Sequence, residues 1–173
     1  MRTRVDPGAA ARLNGFMARE IERKFLVVSP AWRGQDEGVS IRQGYLSADP
    51  ARTVRVRLAG GAGFLTIKGL AEGIVRPEFE YPIPPSDARA LLDLCAHPVV
   101  EKTRHEVLHV GKMWQVDEFH GANRGLVLAE IELESADEAV ELPSWIGTEV
   151  TGDSRYQNSS LSVRPFASWG DAH

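Results

Sequence analysis

Charged and apolar side chains alternate at every second position in several short stretches of the chain. Between residues 20 and 28, Glu20, Glu22 and Lys24 fall on one face of an extended backbone, and the opposite face is apolar. This period of two is typical of a β-strand that lies against an apolar core. The stretch therefore predicts a first strand with a charged side and an apolar side, and the same division recurs along the chain.

Turn-forming residues between the alternating stretches divide the chain into eight predicted strands. The clearest turn is at residues 59–63, where three glycines separate the third strand from the fourth and indicate an antiparallel hairpin. A second hairpin is expected to turn near Gly111. The predicted strands cover residues 20–28, 39–46, 53–58, 64–69, 74–83, 99–110, 112–120 and 126–135.

Helical patterns are few. One clear helix is predicted over residues 86–95, with Ser86 as its capping residue and an apolar stripe along one face. Shorter helical segments are expected at residues 31–38, which otherwise form an irregular crossing, at residues 136–142, and after Asp153 or Ser154. Many short strands with few helices predict a mainly β (α+β) fold, an eight-stranded antiparallel β-barrel with a few covering helices.

The length and composition of the chain restrict its class. A chain of 173 residues is long enough for one domain with a core and too short to predict two. We predict this domain at residues 17–163, between a flexible N-terminal extension at 1–16 and a flexible tail at 164–173. The net charge of −4 argues against a nucleic-acid surface, and no apolar run is long enough to span a membrane. A single cysteine, Cys95, favours a reducing compartment and hence the cytoplasm.

The charged faces carry like charges side by side. If these faces meet only water, the apolar faces build an ordinary β-sandwich core and the charges contribute little to stability. However, Arg-x-Arg, Lys-x-Arg and Glu-x-Glu recur as unmixed pairs, and like charges at this spacing repel one another. A polyanion that carries a divalent cation places an opposite charge beside both kinds of pair. The pattern therefore favours a binding site for a metal-bound phosphate compound.

The residue types suggest which group binds which ion. Lysine and arginine suit phosphate oxygens, and the predicted phosphate-binding residues are Lys24, Arg55, Arg57, Lys68, Lys102 and Arg104. Mg²⁺ and Mn²⁺ prefer oxygen ligands, and Mg²⁺ commonly joins one or two carboxylates to substrate phosphates. The predicted ligands of Mg²⁺ or Mn²⁺ are Glu20, Glu22, Glu130 and Glu132, with Asp117 as a further member.

Two acidic residues and one tyrosine have two interpretations each. Glu78 and Glu80 either bind a second metal ion or orient a water molecule, or they form ion pairs with Lys68 or Arg76. Tyr45 either takes part in proton transfer or is a packed residue whose hydroxyl group is hydrogen-bonded. The catalytic candidates are Lys24, assisted by Tyr45, and Glu80.

The order of the charged pairs resembles the CYTH family, also called triphosphate tunnel metalloenzymes. The resemblance covers roughly residues 17–162, and it is specific because the whole series is present in order. The matching motifs are Glu20-x-Glu22-x-Lys24, Arg42-Gln43-Gly44-Tyr45-Leu46, Arg55-x-Arg57, Leu65-Thr66-Ile67-Lys68-Gly69, Glu78-x-Glu80, Lys102-x-Arg104, Asp117-Glu118-Phe119, Glu130-x-Glu132 and Thr151-Gly152-Asp153-x-Arg155-Tyr156.

The resemblance implies an eight-stranded antiparallel tunnel that binds a linear triphosphate and, with Mg²⁺ or Mn²⁺, catalyses hydrolysis or transfer at phosphorus. Members of the family act on inorganic tripolyphosphate, thiamine triphosphate or ATP, the last sometimes as adenylyl cyclases. The resemblance adds Arg155 to the substrate-binding candidates. It also implies that the closing tail forms a helix that can plug one end of the tunnel.

Hydrolysis of inorganic tripolyphosphate to pyrophosphate and phosphate is the first hypothesis, because the sequence offers no evident element that recognises a base. An adenylyl cyclase or a thiamine triphosphatase on the same scaffold is the nearest alternative. A polyphosphate- or nucleotide-binding module without turnover is a different class, although binding an anion alone would not need the carboxylates. The third hypothesis is a charged β-sandwich with a protein partner. A homodimer would cover the apolar outer faces if the helices do not.

Overall fold

The computed structural model describes residues 18–170, and their side chains from residue 21 onward. The predicted extension at residues 1–16 lies outside the described residues. Within the described part the chain forms nine strands, and their bounds are β1 Ala18–Val27, β2 Val39–Ser47, β3 Arg52–Ala59, β4 Ala62–Gly69, β5 Val75–Ile83, β6 Val100–His109, β7 Lys112–Phe119, β8 Val127–Glu132 and β9 Ile146–Glu149. It also forms two α-helices, α1 Pro85–Asp93 and α2 Asn158–Val163.

The strands form a closed antiparallel barrel, which confirms the predicted fold class. Their order is β5-β4-β3-β2-β6-β7-β8-β1-β9, and β5 also pairs with β1 to close the sheet. This closing contact uses only residues 18–21 of β1. The next part of the same edge pairs with β9, from Phe25 opposite Glu149 to Val27 opposite Ile146. The sequence pattern missed this ninth strand, and it predicted a helical turn at residues 136–142 where the described chain has none.

The two faces of the barrel wall differ in the way the alternating pattern predicts. The charged positions point inward, where Lys24, Lys102, Asp117 and Glu130 are all buried. The apolar positions on the outer faces of β1, β6, β7 and β8 form a core with Trp32 and other residues outside the barrel. Its buried members are Phe25, Trp32, Val107, Trp114, Val116, Ala129, Ile131, Leu133 and Trp145.

Helix α1 covers a second part of the outer wall. Its Ala88 and Leu92 pack against Val56 of β3, and all three are buried. Gly44 of β2 permits this approach, because a Cβ atom there would lie 2.6 Å from the Sγ atom of Cys95. The predicted cap was wrong: Pro84 is the N-cap, and no side chain makes a capping hydrogen bond. Proline is well suited to a helix start, since the first turn leaves its backbone nitrogen atoms unbonded.

The connection between β1 and β2 crosses the outside of the barrel as a 3-10 helix, Pro30–Trp32, followed by an irregular segment. Strand β6 extends beyond its pairing with β2, which ends at Arg104 opposite Val39. Side chains of the crossing segment bind this exposed edge: Asp36 accepts from the backbone N–H of Glu106 at 2.9 Å, and Gln35 from that of Leu108 at 2.9 Å. The edge is thereby covered against pairing with another chain.

One end of the barrel interior is apolar and is closed by the C-terminal segment. This end is lined by Val100, Phe119 and Leu128. Each lies two residues along its strand from an inward-facing charged residue (Lys102, Asp117 and Glu130, respectively), so it points inward as well. Tyr156 and Leu161 of the segment that follows β9 pack against them, and Leu161 is fully buried. The 3-10 helix Ser154–Tyr156 that leads into α2 is capped by Asp153, as one of the two predicted alternatives proposed.

The tail continues past α2 in contact with this cluster. Phe166 and Trp169 pack against it, and the ring of Trp169 meets that of Tyr156 edge to face at 5.1 Å between centroids. The predicted bounds of the domain and the predicted flexible tail stay predictions. Among residues 18–170, no helix has the length and apolar character that a membrane crossing requires.

Leu161 packs into the apolar end of the barrel, so truncation of its side chain should destabilise the fold. Leu161→Ala should lower the free energy of unfolding by about 2–5 kcal/mol, because it leaves a cavity among residues that cannot easily collapse. Urea unfolding followed by tryptophan fluorescence measures it. Val163→Ala on the same helix is the control, since Val163 is 54% exposed; its effect should stay within about 0.5 kcal/mol. Equal effects of the two variants would show that α2 does not close the barrel.

Candidate active site

Strand register brings the charged residues of distant segments together inside the barrel. Strand β1 pairs with β8 so that Lys24 stands directly opposite Glu130, and Glu22 opposite Glu132. On the other side of the barrel, Arg55 of β3 stands opposite Thr66 of β4, which stands opposite Glu80 of β5. Side chains opposite one another on antiparallel strands point to the same face. The inner wall therefore collects charge from segments more than a hundred residues apart in sequence.

The arginines of β3 are held by Glu80. Arg57 donates from Nη2 to both carboxylate oxygens of Glu80, at 3.1 and 2.9 Å, and Arg55 donates to Oε2 at 3.2 Å. The hydroxyl group of Thr66 donates to the same oxygen at 2.8 Å. Burial, followed by the neighbouring positive charge of Arg55, lowers the pKa of Arg57 to about 10. Glu80 therefore keeps two crowded guanidinium groups in place and charged at neutral pH.

A second network joins β6, β7 and β8. Asp117 binds Lys102 Nζ at 2.5 Å and the guanidinium of Arg104 through both oxygens, at 2.7 and 2.6 Å. Arg104 also donates to Glu130 at 2.7 Å, and to Gln115. Lys24 also belongs to this network, because its Nζ atom lies 3.0 Å from Oε1 of Glu130. Three cations and two carboxylates are thus linked through the buried interior.

The opposite charges within this network determine which of its side chains are ionised. Burial alone would favour neutral carboxyl groups, but the adjacent cations outweigh it and lower the pKa of both Asp117 and Glu130. Burial opposes the charge of Lys24 as well, yet Glu130 and Glu22 raise its pKa above the usual value. For Lys102 burial prevails over the attraction of Asp117 and lowers its pKa to about 8. All of these groups are consequently charged at neutral pH.

The ion-pair interpretation of Glu78 and Glu80 agrees with the geometry. Glu78 lies 3.4 Å from Lys68 Nζ and 3.8 Å from Arg55. Arg76, the other predicted partner, instead donates to the Thr53 hydroxyl at 2.7 Å and to the backbone oxygen of Gly69 at 2.7 Å. Ion pairing does not by itself exclude a catalytic role for Glu80, which stays a prediction.

A cavity of about 820 Å³, counting the part open to solvent, lies beside these networks. Among the side chains from residue 21 onward that the structure describes, the basic ones that line it are Lys24, Arg55, Lys68 and Arg76, and the one carboxylate is Glu22. The cavity is also lined by Ala71, Gly73 and Ile74 between β4 and β5, by Thr53 and Thr151, and by Gln157, Asn158 and Ser159 at the start of α2. A concave site with this excess of positive charge attracts a compact anion with several negative charges.

Tyr45 faces the same cavity from β2. The ring is 4% exposed, and its hydroxyl oxygen accepts a hydrogen bond from Gln43 Nε2 at 2.9 Å. Burial raises the pKa of Tyr45 to about 12, against the opposing effect of Arg55 and Lys24. The phenol is therefore protonated at neutral pH, and it can donate its own hydrogen to an acceptor in the cavity.

Two predicted site residues, Arg155 and Glu132, are exposed and lie outside the buried ion networks. Arg155 is exposed, where its guanidinium donates to Asp153 and lies over the ring of Trp169 at 5.4 Å. Its predicted role in substrate binding stays a prediction without a contact to the cavity. Glu132 is exposed at the end of β8. The backbone of Glu20 pairs with that of Arg76, and its side chain is outside the described part of the structure.

Sequence reasoning missed several residues that belong to the site. Thr53, Arg76 and Asn158 line the cavity, and Gln43 supports Tyr45. Gln43 follows the same two-residue period as Tyr45 and sits in a motif that had been recognised, so its inward position could have been found. Asn158 gives no such signal, since only the folded tail brings its amide oxygen within 3.2 Å of Lys102 Nζ.

A comparison with protein-family models shows to which family the chain belongs. The CYTH domain matches residues 18–166, which is most of the chain. This chain belongs to the CYTH family.

Two relatives of this chain are called inorganic triphosphatase. The one from Acetivibrio thermocellus is 48% identical over 151 residues, 87% of this chain and 97% of that protein. The one from Nitrosomonas europaea is 38% identical over 149 residues, 83% and 97% of the two chains.

A solved structure agrees with the CYTH assignment. The crystal structure of an inorganic triphosphatase is 35% identical to this chain and superimposes with a TM-score of 0.62. The match covers 83% of this chain and 97% of that one. The barrel and its closing segment therefore span nearly the whole of the protein to which they are compared.

The CYTH family implies a metal-dependent reaction. Among the side chains that the structure describes, no three His, Cys, Asp or Glu residues converge as a complete metal site. Register nevertheless places Glu22 opposite Glu132, and two carboxylates directly opposite one another favour a cation between them. Mg²⁺ is commonly held by one or two carboxylates together with substrate phosphates and water. Glu22 and Glu132 thus fit a cation that binds together with its phosphate ligand.

The lowered pKa values of Asp117 and Glu130 predict a loss of stability in acid. In the unfolded chain these groups titrate near 3.8 and 4.5, so their charges stabilise the fold above that range. As pH falls through it, the unfolded chain takes up protons first and the free energy of unfolding decreases. Glu130→Gln should lower stability at neutral pH, and the difference from wild type should shrink on acidification to about pH 3.

Urea unfolding at a series of pH values measures this dependence. The control is Glu141→Gln, which neutralises an exposed carboxylate outside the barrel interior. Its curve should run parallel to that of the wild type. A constant gap between Glu130→Gln and wild type from neutral to acid pH would contradict an ionised, compensated Glu130.

Proposed function

We propose that this chain hydrolyses a linear triphosphate, with inorganic tripolyphosphate as substrate and pyrophosphate and phosphate as products. The observation that carries the proposal is the meeting of two charge sets in one barrel interior: basic side chains around a cavity, and carboxylates beside it. The relatives named inorganic triphosphatase support the same activity. Mg²⁺ or Mn²⁺ is the proposed cofactor, because carboxylate oxygens are the donors that the interior offers.

In this proposal the basic side chains hold the phosphate oxygens. Lys24, Arg55 and Lys68 line the cavity directly, and Arg57 adds positive charge behind Arg55. Phosphoryl transfer needs little covalent chemistry from the protein, so fixed charges that match the equatorial oxygens supply most of the acceleration. Lys102 and Arg104 contribute through the network around Asp117. The metal ion, when bound, would neutralise charge on bridging oxygens and favour attack by water.

We assign hydrogen-bond donation, rather than proton abstraction, to Lys24 and Tyr45. Both groups keep their protons at neutral pH, because the pKa of Lys24 is raised by its carboxylate neighbours and that of Tyr45 is raised to about 12 by burial. A group that is already protonated cannot act as a general base at that pH. Glu80 acts in this scheme by positioning Arg55 and Arg57.

Hydrolysis of thiamine triphosphate and cyclisation of ATP are the alternatives on the same scaffold. Among the residues that line the described cavity, Tyr45 is the one aromatic side chain, and the others are charged, polar, aliphatic or glycine. Such a wall favours an inorganic anion over a substrate with an aromatic base. The cytoplasmic location and the homodimer stay predictions.

The proposed activity predicts phosphate release from tripolyphosphate that requires Mg²⁺ or Mn²⁺ and stops with a chelator. Arg57→Ala and Glu22→Gln should each lower kcat/KM by about a hundredfold or more, because each removes a charge that the bound substrate needs. The control is Arg42→Ala on β2, whose side chain points outward and pairs with Glu101 at 3.2 Å. That variant should stay within about twofold of wild type.

The products distinguish the alternatives. Pyrophosphate released from ATP with a cyclic nucleotide would indicate a cyclase, and preferential turnover of thiamine triphosphate would change the substrate. Tight binding of tripolyphosphate without turnover on any of the three compounds would refute the enzyme proposal and leave a binding module.

A further inference from the structure

Gln43 is a fully buried amide on the inner face of the barrel, and nothing in the proposed reaction uses it. It stands two residues before Tyr45 on β2, so both side chains point inward. Gln43 Nε2 donates to the Tyr45 hydroxyl oxygen at 2.9 Å, and both groups are buried. Tyr45 lines the cavity, whereas Gln43 lies behind it and does not.

The direction of this hydrogen bond limits what the Tyr45 hydroxyl can do. A phenol has one hydrogen and can both donate and accept, and rotation about the C–O bond decides where the hydrogen points. Because the amide N–H group of Gln43 is itself a donor, the phenol accepts on that side. Its own hydrogen must therefore point away from Gln43. On the cavity side it meets a space lined by the cations Lys24 and Arg55, which offer no acceptor of their own, and by the carboxylate of Glu22, which pairs with Lys24 at 3.7 Å.

We propose that Gln43 is a positioning residue that turns the Tyr45 hydroxyl group into a hydrogen-bond donor aimed at a phosphate oxygen of the bound triphosphate. This inference rests on the proposed function for the identity of the ligand. A pre-oriented donor needs no reorganisation when negative charge develops on the phosphate oxygens. Gln43 thereby acts through Tyr45 and does not touch the substrate.

Removal of the Gln43 amide should leave the fold intact. Among the described residues, no donor reaches Gln43 Oε1, although that atom is buried. A buried acceptor without a partner costs stability, so an apolar side chain of similar length at this position loses one hydrogen bond and relieves one unsatisfied group. Gln43→Met is the matched substitution, and Gln43→Leu is the second version of the same test.

A double-mutant cycle tests the coupling between the two residues. Wild type, Gln43→Met, Tyr45→Phe and the double variant are compared with tripolyphosphate and Mg²⁺. Each single variant should lower kcat by about tenfold, with KM within about twofold, because the lost interaction matters most in the transition state. The double variant should be no slower than Tyr45→Phe, since Gln43 has no role once the hydroxyl group is gone. Multiplicative effects, or wild-type kcat for Gln43→Met, would overturn the inference.

A spectroscopic measurement tests the hydrogen bond without relying on activity. The chain has 3 tyrosines, and the ring Cζ resonance of ¹³C-labelled Tyr45 can be assigned by its absence in Tyr45→Phe. Gln43→Met should shift that resonance and leave the other two in place. An unchanged Tyr45 resonance would also overturn the inference.

Failure of the proposed function gives a different result from failure of this inference. If the wild type binds tripolyphosphate with Mg²⁺ and does not hydrolyse it, the function is refuted. The Cζ resonance of Tyr45, compared between wild type and Gln43→Met with tripolyphosphate and Mg²⁺ bound, then decides whether Gln43 acts through Tyr45. If the wild type neither binds nor hydrolyses tripolyphosphate, both proposals are refuted.

Discussion

Compensation of buried charge is the constraint on which this structure depends. Lys102, Asp117 and Glu130 are buried, and an isolated charge in such a place would be neutralised or would unfold the protein. Each is stable here because the fold places a group of opposite charge within hydrogen-bond distance of it. Asp117 accepts from two cations at once, and Arg104 bridges two carboxylates. The barrel can hold so many charges because its interior is a connected ion network.

That network also explains why the interior suits a metal-bound triphosphate. The guanidinium groups of Arg55 and Arg57 are both held by Glu80, and a guanidinium group carries five polar hydrogens, more than its contacts to one carboxylate use. A phosphate compound supplies further acceptors without breaking the contacts that keep the arginines in place. In the proposed site a metal counter-ion would add positive charge near Glu22 and Glu132, which stand opposite one another on β1 and β8. The ligand therefore extends a charge pattern that the protein has already prepared.

A charged interior requires that the apolar face of the sheet point outward, and much of the remaining chain covers it. The crossing segment between β1 and β2 places Trp32 on the outer wall, the segment before β9 adds Trp145, and α1 covers β3 and its neighbours. At one end the inner face also becomes apolar, and Leu161 closes it. The same closing segment carries Asn158 to Lys102, so the element that seals the barrel also borders the cavity. Stability and the shape of the site thus depend on the same few segments.

The sequence by itself determined which residues face inward, because a strand exposes alternate side chains to opposite faces and the charges keep that period. It therefore predicted the barrel, most of its strands, and the inward charges Lys24, Arg55, Arg57, Lys68, Lys102, Asp117 and Glu130. The period does not say which strands are neighbours, so the partners of each charge were decided by the tertiary structure. Glu80 was one such case, since the pairing of β5 with β4, and of β4 with β3, places it beside two arginines. Segments without a period, such as β9 and the tail around Asn158, take their position from long-range packing, and their part in the site became visible only in the fold.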